Sequence, residues 1–156
     1  MTLRNPRVSL GLVILTALFA AGCSGKEKIV LVPVEGKLMM NGQPVPLARI
    51  EFMPEFKGHG AESNASATTD ETGKFVLQFA TGETGCAIAK HKVVINEAPV
   101  AANMRGQDEA SQNRYAEYAR TLKNRPLPAN YQMYSTTPLT IEITGEKRDL
   151  LVEMKR

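Results

Sequence analysis

Apolar and polar residues alternate one by one through most of this chain. From Val34 onward, Val34, Gly36, Leu38 and Met40 fall on one face with Glu35 and Lys37 opposite, the period of a strand with one buried face. Asn41-Gly42 follows, a pair that tolerates positive φ and predicts a hairpin turn. Pro44 and Pro46 bracket the return, after which Ala48, Ile50 and Phe52 point one way and Arg49 and Glu51 the other. A weaker strand is expected near Ala65–Thr69, then a turn at Asp70-Glu71-Thr72-Gly73 with its glycine in the left-handed position. Phe75, Leu77 and Phe79 alternate with Lys74 and Gln78, and the stretch Lys90–Asn96 continues the series. Leu139, Ile141 and Ile143, then Leu150, Val152 and Met154, close it on either side of a turn at Gly145-Glu146-Lys147. Seven strands separated by turns predict an all-β, seven-stranded antiparallel sandwich rather than a parallel sheet.

The alternation fails in two places. One is residues 107–123, rich in Ala, Glu, Arg and Gln, where Tyr115, Tyr118, Ala119 and Leu122 recur at helical spacing before Asn124, Pro126 and Pro128. Good helix formers ended by prolines predict a short inserted helix. Its tyrosine stripe either packs on the sandwich or faces a partner, and packing is the expectation.

The other is the start. Arg4 and Arg7 precede an uncharged apolar run, Val8–Ala21, which ends in Ala20-Ala21-Gly22-Cys23 and is followed at once by Ser24-Gly25-Lys26-Glu27-Lys28. A basic opening, a short apolar centre and small residues at the cut describe an export signal. The run falls short of the ~20 residues that span a bilayer. Leu18-Phe19-Ala20-Ala21-Gly22-Cys23 resembles the lipobox of bacterial lipoproteins, with Ala20 where leucine is commoner. The resemblance implies that residues 1–22 are a signal peptide, that Cys23 carries a diacylglycerol and an acylated amino terminus, and that the bilayer is bound through acylated Cys23. Two or more chains anchor stably where one binds reversibly. Ser24, rather than aspartate, after the cysteine implies the outer membrane over the inner one. Residues 23–33 then read as a tether that ends in the apolar Ile29-Val30-Leu31-Val32, and residues 34–156 as the domain.

The domain also resembles a family. Val34-Glu35-Gly36-Lys37, Asn41-Gly42-Gln43-Pro44-Val45, Ala48-Arg49-Ile50-Glu51-Phe52, Thr69–Phe75 and Lys90-His91-Lys92-Val93 are similar to the carboxypeptidase-regulatory-like, or transthyretin-like, domain. His91 stands where that family has tyrosine and Ala89 where it has glycine. The resemblance covers about residues 34–96 and implies a prealbumin-like sandwich. It implies no activity, since the matching residues form turns and core.

Composition narrows function by exclusion. Without residues 1–22, 17 basic residues face 16 acidic ones, so no basic field steers the protein to nucleic acid. Cys86 is the sole cysteine beside Cys23, which leaves either a small buried side chain or a reactive thiol. His59 and His91 are too few for a zinc site, and no H-E-x-x-H, C-x-x-C, nucleophile elbow or phosphate loop occurs. Asp70-Glu71-Thr72-Gly73 is outwardly like a calcium loop but lacks the repeated oxygen ligands and distal glutamate. The outward carboxylates Glu35, Glu51, Glu142 and Glu153 do not pair for acid–base work. No catalytic residue, metal or cofactor is therefore expected. The leading expectation is a lipid-tethered structural or binding module with an envelope protein or carbohydrate partner. The rivals are an accessory subunit of an envelope enzyme, and an enzyme using His91, Cys86 or His59.

Overall fold

The computed structural model describes residues 28–56 and 60–156. The signal segment, Cys23 and His59 lie outside the described residues. Mostly β, the described chain forms eleven strands and one α-helix. In order these are β1 (Leu31–Val32), β2 (Val34–Met40), β3 (Gln43–Pro44), β4 (Ala48–Pro54), β5 (Ala65–Thr68), β6 (Lys74–Val76), β7 (Gln78–Phe79), β8 (Cys86–Ala87), β9 (Ala89–Glu97), α1 (Glu109–Thr121), β10 (Thr140–Ile143) and β11 (Lys147–Met154).

Two larger sheets share one core. The first runs β10-β9-β4-β5-β7, and the second runs β11-β2-β3 with β6 also paired to β2. Ile50, Phe52, Val93, Ile95 and Ile143 from the first meet Val34, Leu38, Phe75, Val152 and Met154 from the second in one buried cluster. The period-2 faces thus sit as patterned, because a strand's alternate side chains leave opposite sides of its pleat. Asn41 (φ 51°) and Gly42 (φ 74°) make the β2–β3 hairpin, and Gly73 (φ 79°) closes the turn before β6.

Eleven strand segments stand where seven are expected, and the path of the chain explains the difference. At Leu77 the chain leaves β2's side and crosses to β5, so one predicted strand becomes β6 and β7 in different sheets. The two-residue strands β1, β3 and β8 are brief edge pairings. Nor is every pair antiparallel: β11 runs parallel to β2, with a register break between Lys147 and Leu150. β10 ends where β2 begins, and the short turn at residues 144–146 starts β11 at that same end, so the two strands run the same way.

Gly36 sits in register between Phe75 and Leu150. A Cβ there would run into the Leu150 carbonyl oxygen and come within 2.6 Å of Phe75 Cζ. Gly36→Ala should therefore overpack this seam and cost about 1–3 kcal/mol, lowering the urea midpoint. A parental midpoint would mean that the seam yields freely.

The molecule has two distinct ends. Ala48 pairs with Glu97 and Pro54 with His91, so β4 finishes where β9 starts. The β1–β8 ribbon lies at that end, because β1 leads through Pro33 into β2 and β8 through Ile88 into β9. At the opposite end lie the β2–β3 hairpin, Glu97 and Met154, whose carbonyl accepts from Asn41 N at 3.1 Å. Nine residues of β9 separate the ends by about 30 Å.

Candidate functional site

Strand β9 begins where β8 has just ended, and this brings two candidate side chains together. Cys86 and His91 are both fully buried, with Sγ 3.4 Å from Nε2 and 3.9 Å from Nδ1. Nε2 also lies 2.9 Å from the Ala87 carbonyl oxygen. A carbonyl only accepts, so Nε2 carries the proton and donates it, leaving Nδ1 as the ring's acceptor. At 3.9 Å from the sulfur, Nδ1 makes only a long hydrogen-bond contact with it. The Phe52 ring packs edge-on to the imidazole, with centroids 5.7 Å apart.

Electrostatics point the same way. Burial pushes the Cys86 thiol up to about 12, so the reactive thiolate is suppressed at neutral pH. Burial also lowers the His91 pKa, against weaker upward pulls from the Ala87 carbonyl and the Glu55 carboxylate. The pair is neutral, where an activated cysteine–histidine couple is charged. The His91 ring lies inside the core, fully buried beside Phe52.

These shifts fix a pH profile. His91 has a folded pKa below its unfolded value near 6.5, so its contribution is complete above that pH and is lost as pH falls through the folded value. Cys86 has the opposite sign, with its contribution complete below about 9 and lost as pH rises toward 12. Melting temperature should accordingly be flat between these limits and decline beyond each. His91→Gln should flatten the decline just below neutrality, because the Asp70 and Asp108 carboxyls, both lowered by hydrogen bonds, act only in the range below about 4. A native thiol that reacts at pH 8 as fast as the unfolded chain would contradict this description of the pair.

Among the described residues, no group of three His, Cys, Asp or Glu side chains converges on a metal-sized space. The Asp70 carboxylate is already engaged: Oδ1 accepts from Thr72 N and Thr72 Oγ1 at 2.8 Å each and from Lys74 N at 2.9 Å. It shapes the turn that starts β6. No helix among the described residues is long and apolar enough to cross a membrane.

Two of the open surfaces of the described residues are a groove and an insertion. A groove of about 440 Å³ lies across β6, β2 and the start of β11. Lys37, Lys74 and Arg148 stand around it with Glu35 and Asp149, and Val76 and Leu151, 48% and 59% exposed, form its apolar part. The second surface is the insertion between β9 and β10. Asp108 caps α1 by accepting from Ser111 N at 2.9 Å, as a short acceptor at a helix start does. The helix packs chiefly on the short 3-10 turn Ala102–Met104, with Arg114 Nε donating to Asn103 O at 2.9 Å. Tyr115 is 41% exposed, and no residue of 98–126 belongs to the core cluster. Of the expected stripe, Tyr115 is exposed and Tyr118, Ala119 and Leu122 are half-buried, and none of the four joins the core cluster. Helical spacing places residues on one face without choosing what covers that face.

The insertion is instead held at its base. The Arg125 guanidinium reaches Glu97 Oε2 at 2.7 Å through Nε, and Pro46 O at 2.8 Å and Leu47 O at 3.2 Å through Nη2. Asn124 Nδ2 donates to Pro44 O at 2.7 Å. The sequence reading takes Asn124, Pro126 and Pro128 as the helix stop and misses this clamp. The carbonyls it holds lie 78–80 residues away in sequence, so no local pattern announces it. No family model, curated protein or solved structure matches the chain.

Proposed function

We propose that this chain is a membrane-anchored envelope lipoprotein, acylated at Cys23, whose body is a non-catalytic transthyretin-like β-sandwich that presents a surface to an envelope partner. The observation that carries the reading is the polarity of the body. Its first packed residues, Ile29, Leu31 and Val32, begin six positions beyond Cys23 at one end, and the helical insertion is clamped at the other. An anchor at the first end holds the insertion and its exposed Tyr115 about 30 Å further out. The outer membrane is the proposed location.

The proposed sandwich rests on two sheets with alternating inward faces around one core. The non-catalytic role rests on the neutral, buried Cys86–His91 pair. A second reading, an accessory subunit of an envelope enzyme, is favoured by α1 itself, an appended helix with an exposed tyrosine and little contact with the sheets.

Mass spectrometry of the protein extracted from its native membrane tests the anchor. The expected species begins at Cys23 and carries acyl chains. A chain that retains residues 1–22, or one that begins elsewhere without lipid, would refute the proposal.

A further inference from the structure

The end of the body where the chain arrives is not evenly polar. β1 and β8 pair antiparallel, Leu31 with Ala87 and Val32 with Cys86. The next rung is Val30 opposite Ile88, joined by Ile88 N donating to Val30 O at 2.9 Å. Alternate residues of a ribbon leave opposite faces. Leu31 and Ala87 turn into the core; on the other face Val32 and Cys86 are packed as well, and only the outer rung of Val30 and Ile88 is open to solvent, 55% and 40% exposed. Two apolar side chains thus stand side by side, uncovered, at the root of the body.

We propose that this outward rung is the membrane-seating surface of the protein, with the lipid bilayer as its occupant; the inference rests on lipidation at Cys23. The length of chain beyond the body selects that occupant. Only residues 24–28 lie between Cys23 and Ile29, and six extended steps reach at most about 20 Å. A lipid at Cys23 therefore keeps Val30 and Ile88 within about that distance of the headgroups. The insertion, about 30 Å along the strands from this root, and Leu151 on the side of the second sheet are not so constrained. Charge does not compete with this assignment. Lys28, Lys90, Lys147 and Arg148 at this end are interspersed with Glu35, Glu55, Glu142 and Glu146, and Lys90 already pairs with Glu55 at 3.6 Å. The seating is therefore apolar and should persist in salt that screens surface charge.

The chain contains no tryptophan, so single-tryptophan variants of the full, processed protein report each surface separately. Ile88→Trp, Val30→Trp, Leu151→Trp and Tyr115→Trp would be reconstituted in vesicles of phosphatidylethanolamine and phosphatidylglycerol carrying brominated acyl chains. Ile88→Trp and Val30→Trp should shift to the blue and lose much of their emission to bromine. Leu151→Trp and Tyr115→Trp should do neither, and the pattern should hold at high salt. Equal quenching at all four positions, or none at the first two, overturns the seating. A blue shift at Ile88→Trp that grows with protein concentration in the absence of vesicles would assign the rung to a second copy and also overturn it. Flotation of the same samples separates the two readings. If Cys23→Ser floats as the parent does, the anchor itself is wrong; if only the lipidated chain floats, the anchor stands and the quenching alone judges the seating.

Discussion

Cys23→Ser is expected to abolish fatty-acid labelling and to release the protein from membranes washed with high salt. A serine hydroxyl does not replace the thiol that takes the diacylglycerol, so the variant loses every acyl chain at once. What remains is weak. Val8–Ala21 is 14 residues long and would extend about 21 Å as a helix, short of ~30 Å of hydrocarbon. The Val30–Ile88 rung adds less than about 6 kcal/mol even if both side chains were wholly buried, which corresponds to a dissociation constant no tighter than tens of micromolar, in order of magnitude. Neither holds a protein through washing, whereas two acyl chains do. Membrane fractionation with a fatty-acid label reads both effects. A variant that stays in the washed membrane fraction at the parental level would show that the anchor has been placed on the wrong residue.

The second large effect is on stability. Phe52→Ala should cost about 3–5 kcal/mol, the usual range for emptying a buried phenylalanine site, and should lower the melting temperature by roughly 10–20 °C in a domain of this size. Phe52 is fully buried, its ring centroid 6.4 Å from that of Phe75 and 5.7 Å from that of His91. The cavity would open where both sheets and the Cys86–His91 pair converge, and rigid strands on every side leave little room for collapse. Deleting residues 107–123 and joining the ends with a short glycine–serine link should cost far less. That stretch gives nothing to the core cluster, Asn124 and Arg125 are retained, and a doubling of loop length is worth only about 0.6 kcal/mol. Denaturant melts on the two variants decide the matter. If the deletion unfolds the protein while Phe52→Ala melts near the parent, the insertion is structural and the core lies elsewhere.

Local patterns determined a good deal of this protein. The faces Val34/Leu38/Met40, Ala48/Ile50/Phe52 and Phe75/Leu77/Phe79 are all buried as their alternation indicates, because a period of two leaves a strand no other way to hide its apolar set. The turns at Asn41-Gly42 and Gly73 are likewise local, set by which residues accept a positive φ. The helix was legible from composition and its closing prolines. Pairing was not. The crossing at Leu77, the parallel alignment of β11 with β2 and the ribbon of β1 with β8 depend on which end of the body each loop returns to, and no window of a few residues carries that information. The same holds for the sites. Alternation alone put His91 on the inward side of its strand, but only the meeting of β8 and β9 set it against Cys86 and the Ala87 carbonyl and so made the pair neutral. The spacing of Tyr115 and Tyr118 gave α1 an apolar stripe, and only the tertiary structure decided that Tyr115 stays exposed and that the insertion is tied to the body at Asn124 and Arg125. Sequence chooses which side chains turn together; the long-range return of the chain decides what they meet.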